Sequence, residues 1–441
     1  MQEKREWNQE NVQDKNEELE PEETRLKDPG NNHGVLKGFL GGVLVTLCVL
    51  AIVLFVKSLE PKRLGTTPSQ TPDHTAAGQQ LDTEAIDLKL EKLKSLIDSK
   101  YMGDVDEEKL IETLYYGYVA GLGDPYSVYF TKEDYVTMME STTGIYNGIG
   151  ILMSQNMKTG VITVLRVFRD SPAEEVGLQR GDILYKVAGQ EVTGMDLQSV
   201  VSIVKTSNDG VGTVEVEVVR EDETEPLKFD VERREVTVST VEHEMLDDGI
   251  GYLLITQFDD LVTQKQFAEA MADLKNQGMT SLIIDVRDNP GGVLDSVCKT
   301  LEQILPAGLI VYTEDKYGNR EEISGEGKTP LDIPLAVLVN GNSASAAEIF
   351  AGAVKDYGIG TLVGTTTYGK GIVQKIFDLG DDTAVKLTVS KYFTPKGNYI
   401  HEVGIKPDVE IDLNDDLKKM AIIPMDQDNQ LQKAIEILKG Q

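Results

Sequence analysis

LAVLVNGNSASAAEIFAGAVKD, residues 335–356, joins an apolar run to a turn of small and polar residues and then to a helical apolar pattern. The run 335–340 reads as a strand buried on both faces, bounded by turn signals. Ser345 and Glu348 have the SxxE spacing of a capping box, which opens a helix over 346–356. An isolated SxxE ordinarily caps a helix and does nothing more. A serine at a strand-to-helix turn also stands at the positive end of that helix, where a nucleophile gains.

Working outward, strand-like runs at 251–255, 281–286 and 335–340 alternate with helical ones at 264–276 and 346–356, the pattern of an α/β domain with a layered sheet. Its predicted span is 237–441. Before it, 141–236 carries short β-rich runs such as 161–167 and 214–219, separated by Gly and Asp turns and two short helices. One of these helices has Ser171 at the N-cap, Pro172 at N1 and Glu174 at N3, and Gly177 closes it. Further back, Ile86, Leu90, Leu93 and Ile97, then Leu110, Leu114 and Tyr118, recur at helical spacing, so 83–140 reads as a helical segment.

Residues 57–82 are rich in Pro, Thr, Ser, Gly and Gln without periodicity, the composition of a tether. Residues 38–56 contain no charge and would extend about 28 Å as a helix, enough to cross a bilayer core, so they read as a transmembrane anchor. A cleaved signal peptide fits poorly, because the preceding region is long and no small-x-small site follows Val56. Residues 1–37, with six Lys or Arg and ten Asp or Glu, read as a disordered cytoplasmic tail. Flanking charge does not set the orientation, since Arg25, Lys27 and Lys37 are balanced by Lys57, Lys62 and Arg63.

The chain of 441 residues suits two to three domains. Its net charge of −31 would repel a phosphate polymer, which excludes nucleic acid as the main partner. Cys48 and Cys298 form no metal-binding spacing, and His33, His74, His243 and His401 are scattered, so no metal site and no cofactor are expected. GTTTYGKG, residues 364–371, imitates a phosphate-binding loop but puts Gly371 where Ser or Thr must hold magnesium. The next residues, 372–377, alternate like a strand where such a loop needs a helix, so nucleotide binding is rejected.

In Gly148-Ile149-Gly150-Ile151, two glycines free successive backbone N–H groups to face an anion. With SPAEEVGLQRGDIL at 171–184, this segment resembles a bacterial PDZ domain. The resemblance implies capture of a peptide C-terminus, with the peptide added as a strand beside 149–153 and its last side chain near Ile151 and the helix 197–204. Bacterial relatives often carry Arg after that helix; this chain has Lys205, a point charge in place of a fork.

Residues 341–374, GNSASAAEIFAGAVKDYGIGTLVGTTTYGKGIVQ, are similar to the active-site region of the carboxyl-terminal processing peptidases, serine proteases with a Ser–Lys dyad. DVRDNPGG at 285–292, YFTPKGNYIHEVGIKPD at 392–408 and LGDPYSVYF at 122–130 resemble further blocks of that family. The resemblance implies a crotonase/ClpP-like α/β catalytic domain with an inserted β-rich PDZ domain, in an α/β multidomain chain. It makes Ser345 the nucleophile, Lys370 the general base and Gln374 the residue that orients Lys370. Gln374 lies four residues on, an even offset that would share a strand face with Lys370. It also assigns the oxyanion hole to the N–H groups of Ala346 and Gly291, each such donor typically worth about 3 to 4 kcal/mol.

The implied protein is a membrane-anchored, single-pass endopeptidase with an extracytoplasmic catalytic part, acting on proteins bound by their C-termini. A silent PDZ scaffold on an inactive body is the alternative, and an acyl-CoA enzyme of the same fold type is a third reading that leaves the PDZ insertion unexplained. Whether a homo-oligomer forms or an adaptor protein is needed stays open.

Overall fold

A computed structural model describes residues 82–156, 159–205, 212–221, 223–420 and 423–440. The predicted tail, the span 38–56 and all but the last residue of the tether lie outside them. Among the described residues no helix is long and apolar enough to cross a membrane. The chain divides into two units, Met1–Met102 and Gly103–Gln441. In the first, helix Thr83–Lys100 is capped by Asp82, whose carboxylate accepts the Ala85 N–H. No residue of this helix is buried.

The second unit is built on three sheets. Its six-stranded sheet runs in the order Val409–Glu410, Thr361–Gly364, Leu335–Val339, Ser281–Asp285, Ile250–Ile255 and Val241–Met245, parallel throughout except for the last pair. Side chains along its central strands alternate between two cores. Leu282, Ile284, Val337 and Val339 face helices Thr263–Asn276, Leu294–Glu302 and Ala346–Tyr357. Ile283, Ala336 and Leu338 face Leu431, Ala434 and Leu438 of helix Asn429–Lys439. Helices on both faces explain why these strands read as unbroken apolar runs.

A buried ionic knot fastens the C-terminal helix to this sheet. Arg287 reaches Asp285 at 2.6 Å and Asp428 at 2.8 Å, and its Nη1 donates to Gln430 Oε1 at 2.9 Å. Tyr252 Oη completes the knot by donating to Asp285 at 2.9 Å.

The second sheet, seven-stranded and antiparallel, spans Ile145–Gly148 to Leu227–Thr237 and encloses its own core of Ile162, Val164, Val187, Val200, Val214, Val216 and Val231. Its strands run from Ile145 to Thr237. Helix Pro172–Glu175 starts at Ser171 as predicted, with the Glu174 N–H on Ser171 Oγ. The Glu174 carboxylate accepts the Asp170 N–H, one residue outside the predicted box.

The third sheet is antiparallel and centres on Ala384–Phe393, which pairs with Ile372–Asp378, Gly308–Asp315 and Val128–Phe130. Here the structure adds a strand to the segment 83–140 that reads as helical. Helices Glu107–Ala120 and Lys132–Thr143 flank a strand, Val128–Phe130, because Gly121 to Pro125 break the helical run and the next residues pair with Ala384, Val385 and Lys386.

Candidate active site

Ser345 sits between strand Leu335–Val339 and helix Ala346–Tyr357, at φ 54° and ψ −114°. A left-handed φ outside glycine costs of order 1 to 3 kcal/mol, so the surroundings must hold it in place. They do so from both sides: its N–H donates to Glu348 Oε2 at 3.0 Å, and its carbonyl accepts the hydroxyl of buried Tyr392 at 3.1 Å. Ser343, two residues earlier, is fully buried, and its Oγ donates to the Val286 carbonyl at 2.8 Å. The Ser343 hydroxyl is thus tied to the neighbouring strand, whereas the Ser345 side chain takes part only in the capping box at the start of its own helix among the described residues.

Glu348 does far more than cap a helix. Its Oε1 accepts Thr367 Oγ1 at 2.6 Å and the Gly369 N–H at 2.7 Å. Its Oε2 accepts the N–H groups of Ser345, at 3.0 Å, and of Lys370, at 2.8 Å. One fully buried carboxylate thus joins the backbones of the two predicted dyad residues. Sequence reading saw the capping spacing and missed the rest, because the other three donors lie 19 to 22 residues away.

Lys370 is half-buried, and its Nζ lies over the Tyr126 ring, 4.6 Å from the centroid. Desolvation is the main cause that lowers its pKa, and Lys386 adds to it; Asp124 and Glu348 oppose the shift. Gln374 Nε2 donates to Thr388 Oγ1 at 3.4 Å. The expected shared strand face for Lys370 and Gln374 is not observed. The strand begins at Ile372, after the lysine, and a register irregularity between Val373 and Gln374 interrupts the alternation.

The Ala346 N–H, at the helix start, has no partner among the described residues. Gly291, the other expected oxyanion donor, is packed against Ser345. A Cβ there would stand 2.8 Å from Ser345 Cβ and 2.9 Å from Ala346 N, and its φ is 108°. Its N–H, however, donates to Asn289 Oδ1 at 2.8 Å, and buried Asn289 is itself fixed by donating to the Ile255 carbonyl at 2.9 Å. In this arrangement Gly291 is therefore not free to receive an oxyanion, and the Pro290–Gly291 peptide would have to rotate first.

In the β-rich domain, Gly148, Ile149, Gly150 and Ile151 lead into Ile151–Gln155, an edge strand that among the described residues pairs only with Ile162–Val167. Gly150 has φ 88°, and a Cβ there would stand 2.2 Å from Ser171 Cβ. The open edge faces a cavity of about 510 Å³ that includes Ile149, Ile151, Val201, Val204, Lys205 and Glu140 in its lining. Tyr146, which sequence reading passed over, lies against this loop with its ring edge beside Gly148, and burial pushes the phenol pKa up. Lys205 Nζ sits 5.6 Å from the Tyr146 ring centroid and donates to Glu140 Oε2 at 2.6 Å.

The same cavity reaches buried Asp259, whose pKa desolvation pushes up to about 6. Folded Asp259 holds a proton up to that pH, while an unfolded aspartate releases it near 3.8. The fold therefore binds the extra proton between those limits, and stability falls as pH rises through them. Asp259→Asn, which can still accept the Gln257 bond, should stabilise the protein at pH 7.5 by about 2 kcal/mol and have no effect near pH 3.5. Denaturant melts at the two pH values check this, and equal gains at both would refute the assignment.

An α/β body with a strained serine and a desolvated lysine tied to one carboxylate stands in the same unit as a β-rich domain with an open strand edge. Residues 249–411 match the model of peptidase family S41, 163–218 that of the PDZ domain, and 52–134 that of the activating protease CtpB N-terminal domain. The chain is 34% identical over 342 residues to carboxy-terminal processing protease CtpB of Bacillus subtilis (strain 168), which covers 76% of this chain and 70% of that protein. Against CtpA of the same strain it is 34% identical over 329 residues, 74% and 69% of the two chains. Against a carboxyl-terminal-processing protease of Synechocystis sp. it is 33% identical over 326 residues, 73% and 75%. The chain belongs to the carboxyl-terminal processing proteases of peptidase family S41, and is a serine peptidase.

Proposed function

We propose that the chain is a membrane-anchored endopeptidase with a crotonase/ClpP-like catalytic domain, which selects proteins by their free C-termini and cleaves them through an acyl-enzyme on Ser345. The observation that carries this reading is the convergence of Ser345 and Lys370 on Glu348. Lys370, kept less basic by burial, takes the Ser345 proton as the serine oxygen attacks the peptide carbonyl. The Ala346 N–H receives the oxyanion. The proton then passes to the leaving amine, and water releases the acyl group. Gln374 orients Lys370 in the aligned state.

The described arrangement is a resting one, with Gln374 on Thr388 rather than on Lys370 and the Gly291 N–H on Asn289. A short contact path supports gating by the PDZ groove. Lys205 holds Glu140 on helix Lys132–Thr143. The end of that helix binds Gln257 through the Ser141 carbonyl at 3.0 Å and the Asp260 N–H through the Thr142 carbonyl at 3.0 Å. Between those two residues, the Phe258 N–H donates to the Gly291 carbonyl at 2.9 Å. The uncharged stretch 38–56 supports a single-pass anchor at the cell membrane, and the likeness to the carboxyl-terminal processing peptidases is what favours an extracytoplasmic catalytic part.

The test is cleavage of one substrate protein prepared with a free apolar C-terminus and with the same terminus amidated, by wild type and Ser345→Ala. Wild type should cut the free form at least about tenfold faster, as expected for losing one charge-assisted contact, and Ser345→Ala should cut neither. Cleavage by Ser345→Ala would overturn the nucleophile, and equal rates for acid and amide would overturn C-terminal recognition. Binding of the free form without cleavage by wild type would favour the scaffold alternative.

A further inference from the structure

LGDPYSVYF, residues 122–130, stands out in the sequence and has no role in the chemistry above. In the fold it is fastened to the catalytic body by an aspartate turn. Asp124 accepts the Tyr126 N–H at 3.1 Å and Ser127 Oγ at 2.6 Å, and the Ser127 N–H returns to the Asp124 carbonyl at 3.2 Å. Buried Ser127 then accepts the Thr388 N–H at 3.1 Å, and strand Val128–Phe130 continues along Ala384–Phe393. That strand also carries the Gln374 partner, with Gln374 opposite Thr388. Every link of this turn thus serves to fix Tyr126 beside Lys370.

The geometry points to Tyr126 as a positioning residue for the general base: its ring face seats the ammonium that Lys370 becomes when it takes the Ser345 proton. A ring quadrupole attracts a cation within about 6 Å of its centroid and has no such attraction for a neutral amine. At 4.6 Å, Tyr126 therefore favours the protonated lysine and holds Nζ at one place, against the desolvation that opposes the charge. The other titratable groups around Lys370 are Asp124 on the same turn, Tyr368 beside the Tyr126 hydroxyl, Glu348 on the nucleophile helix, Lys386 on the neighbouring strand, and His401, whose Nδ1 accepts the Gly371 N–H at 3.3 Å. None of these places an aromatic face on Nζ among the described residues. The inference rests on Lys370 being the base.

The experiment is the rate of Ser345 labelling by a small fluorophosphonate as a function of pH, in the full chain. The serine oxygen bonds to phosphorus, fluoride leaves, and the base accepts the proton, so the probe reports the base without needing the PDZ groove. Tyr126→Leu should move the midpoint of the rate profile down by about half to one and a half pH units and lower the high-pH plateau, while Tyr126→Phe, which keeps the face, should leave the midpoint in place. An unmoved midpoint in Tyr126→Leu, or an equal shift in Tyr126→Phe, overturns the proposal; the latter would assign the effect to the hydroxyl. If the leucine variant does not fold, pentafluorophenylalanine at position 126 keeps the shape and reverses the quadrupole. A lowered midpoint there supports the proposal and an unmoved one defeats it. Lys370→Ala separates the two levels: if labelling persists in it, the base assignment itself is wrong and the Tyr126 role falls with it.

Discussion

Lys370→Arg folds like the parent and loses at least about 10³-fold in proteolysis, as does Lys370→Ala. Charge and approximate reach survive in the arginine, so a lysine needed only as a cation or as a packing stem would tolerate the change. A general base would not, because a guanidinium stays protonated under any condition in which the protein is folded. The burial that favours the neutral amine in Lys370 cannot achieve the same for arginine. Activity of the wild type should rise with pH as Lys370 gives up its proton, with a midpoint below the ordinary lysine range, since its pKa is lowered. Hydrolysis of a fluorogenic peptide across pH, in the three proteins at matched folded concentration, measures both effects. Appreciable turnover by Lys370→Arg would remove the base from the mechanism.

The layout of the catalytic body was legible because its strands are covered on both faces. That coverage turns 281–286 and 335–340 into unbroken apolar runs, and the helices between them keep a helical period. Local signals also held near Ser345: the turn, the N-cap and the helix 346–356 all follow from neighbours within a few residues. What stayed hidden depends on contacts far along the chain. Glu348 looked like a cap because only one of its four donors, Ser345, is local. The seat of Lys370 on Tyr126 joins segments 244 positions apart, and the Arg287 knot closes only when Asp428 and Gln430 arrive. Similarly, the Gly291 N–H looked available in the sequence, but the Asn289 side chain two residues before it folds back onto it. Strand Val128–Phe130 was missed for a related reason: three residues carry no readable period, and their partner is Ala384–Phe393.

Glu348→Gln should cost about 10²-fold in kcat with little change in KM for a C-terminally anchored peptide, and its mechanism is geometric. Four donors converge on the two carboxylate oxygens: Ser345 N–H, Lys370 N–H, Gly369 N–H and Thr367 Oγ1. A glutamine can accept at one end only, and at the other it would aim its amide hydrogens either at the Ser345 and Lys370 N–H groups or at the Gly369 N–H and the Thr367 hydroxyl, in a fully buried site. Either pair of donors left facing the amide includes Ser345 and Lys370 or the immediate neighbour of Lys370. With Oε2 replaced, the backbones of Ser345 and Lys370 lose their common anchor. With Oε1 replaced, Gly369 and Thr367 pull the lysine loop away. Misplacing reacting groups by about 1 Å is enough for a loss of this size. Thr367→Val removes a single donor and leaves three, so it should lose far less, about tenfold or under. Its hydroxyl also accepts the Ile405 N–H at 2.7 Å, so part of that loss will appear as lower thermal stability. Steady-state kinetics with circular dichroism on both variants separate the two contributions. A Glu348→Gln enzyme that kept the parental kcat would show that Ser345 and Lys370 hold their places without the carboxylate between them.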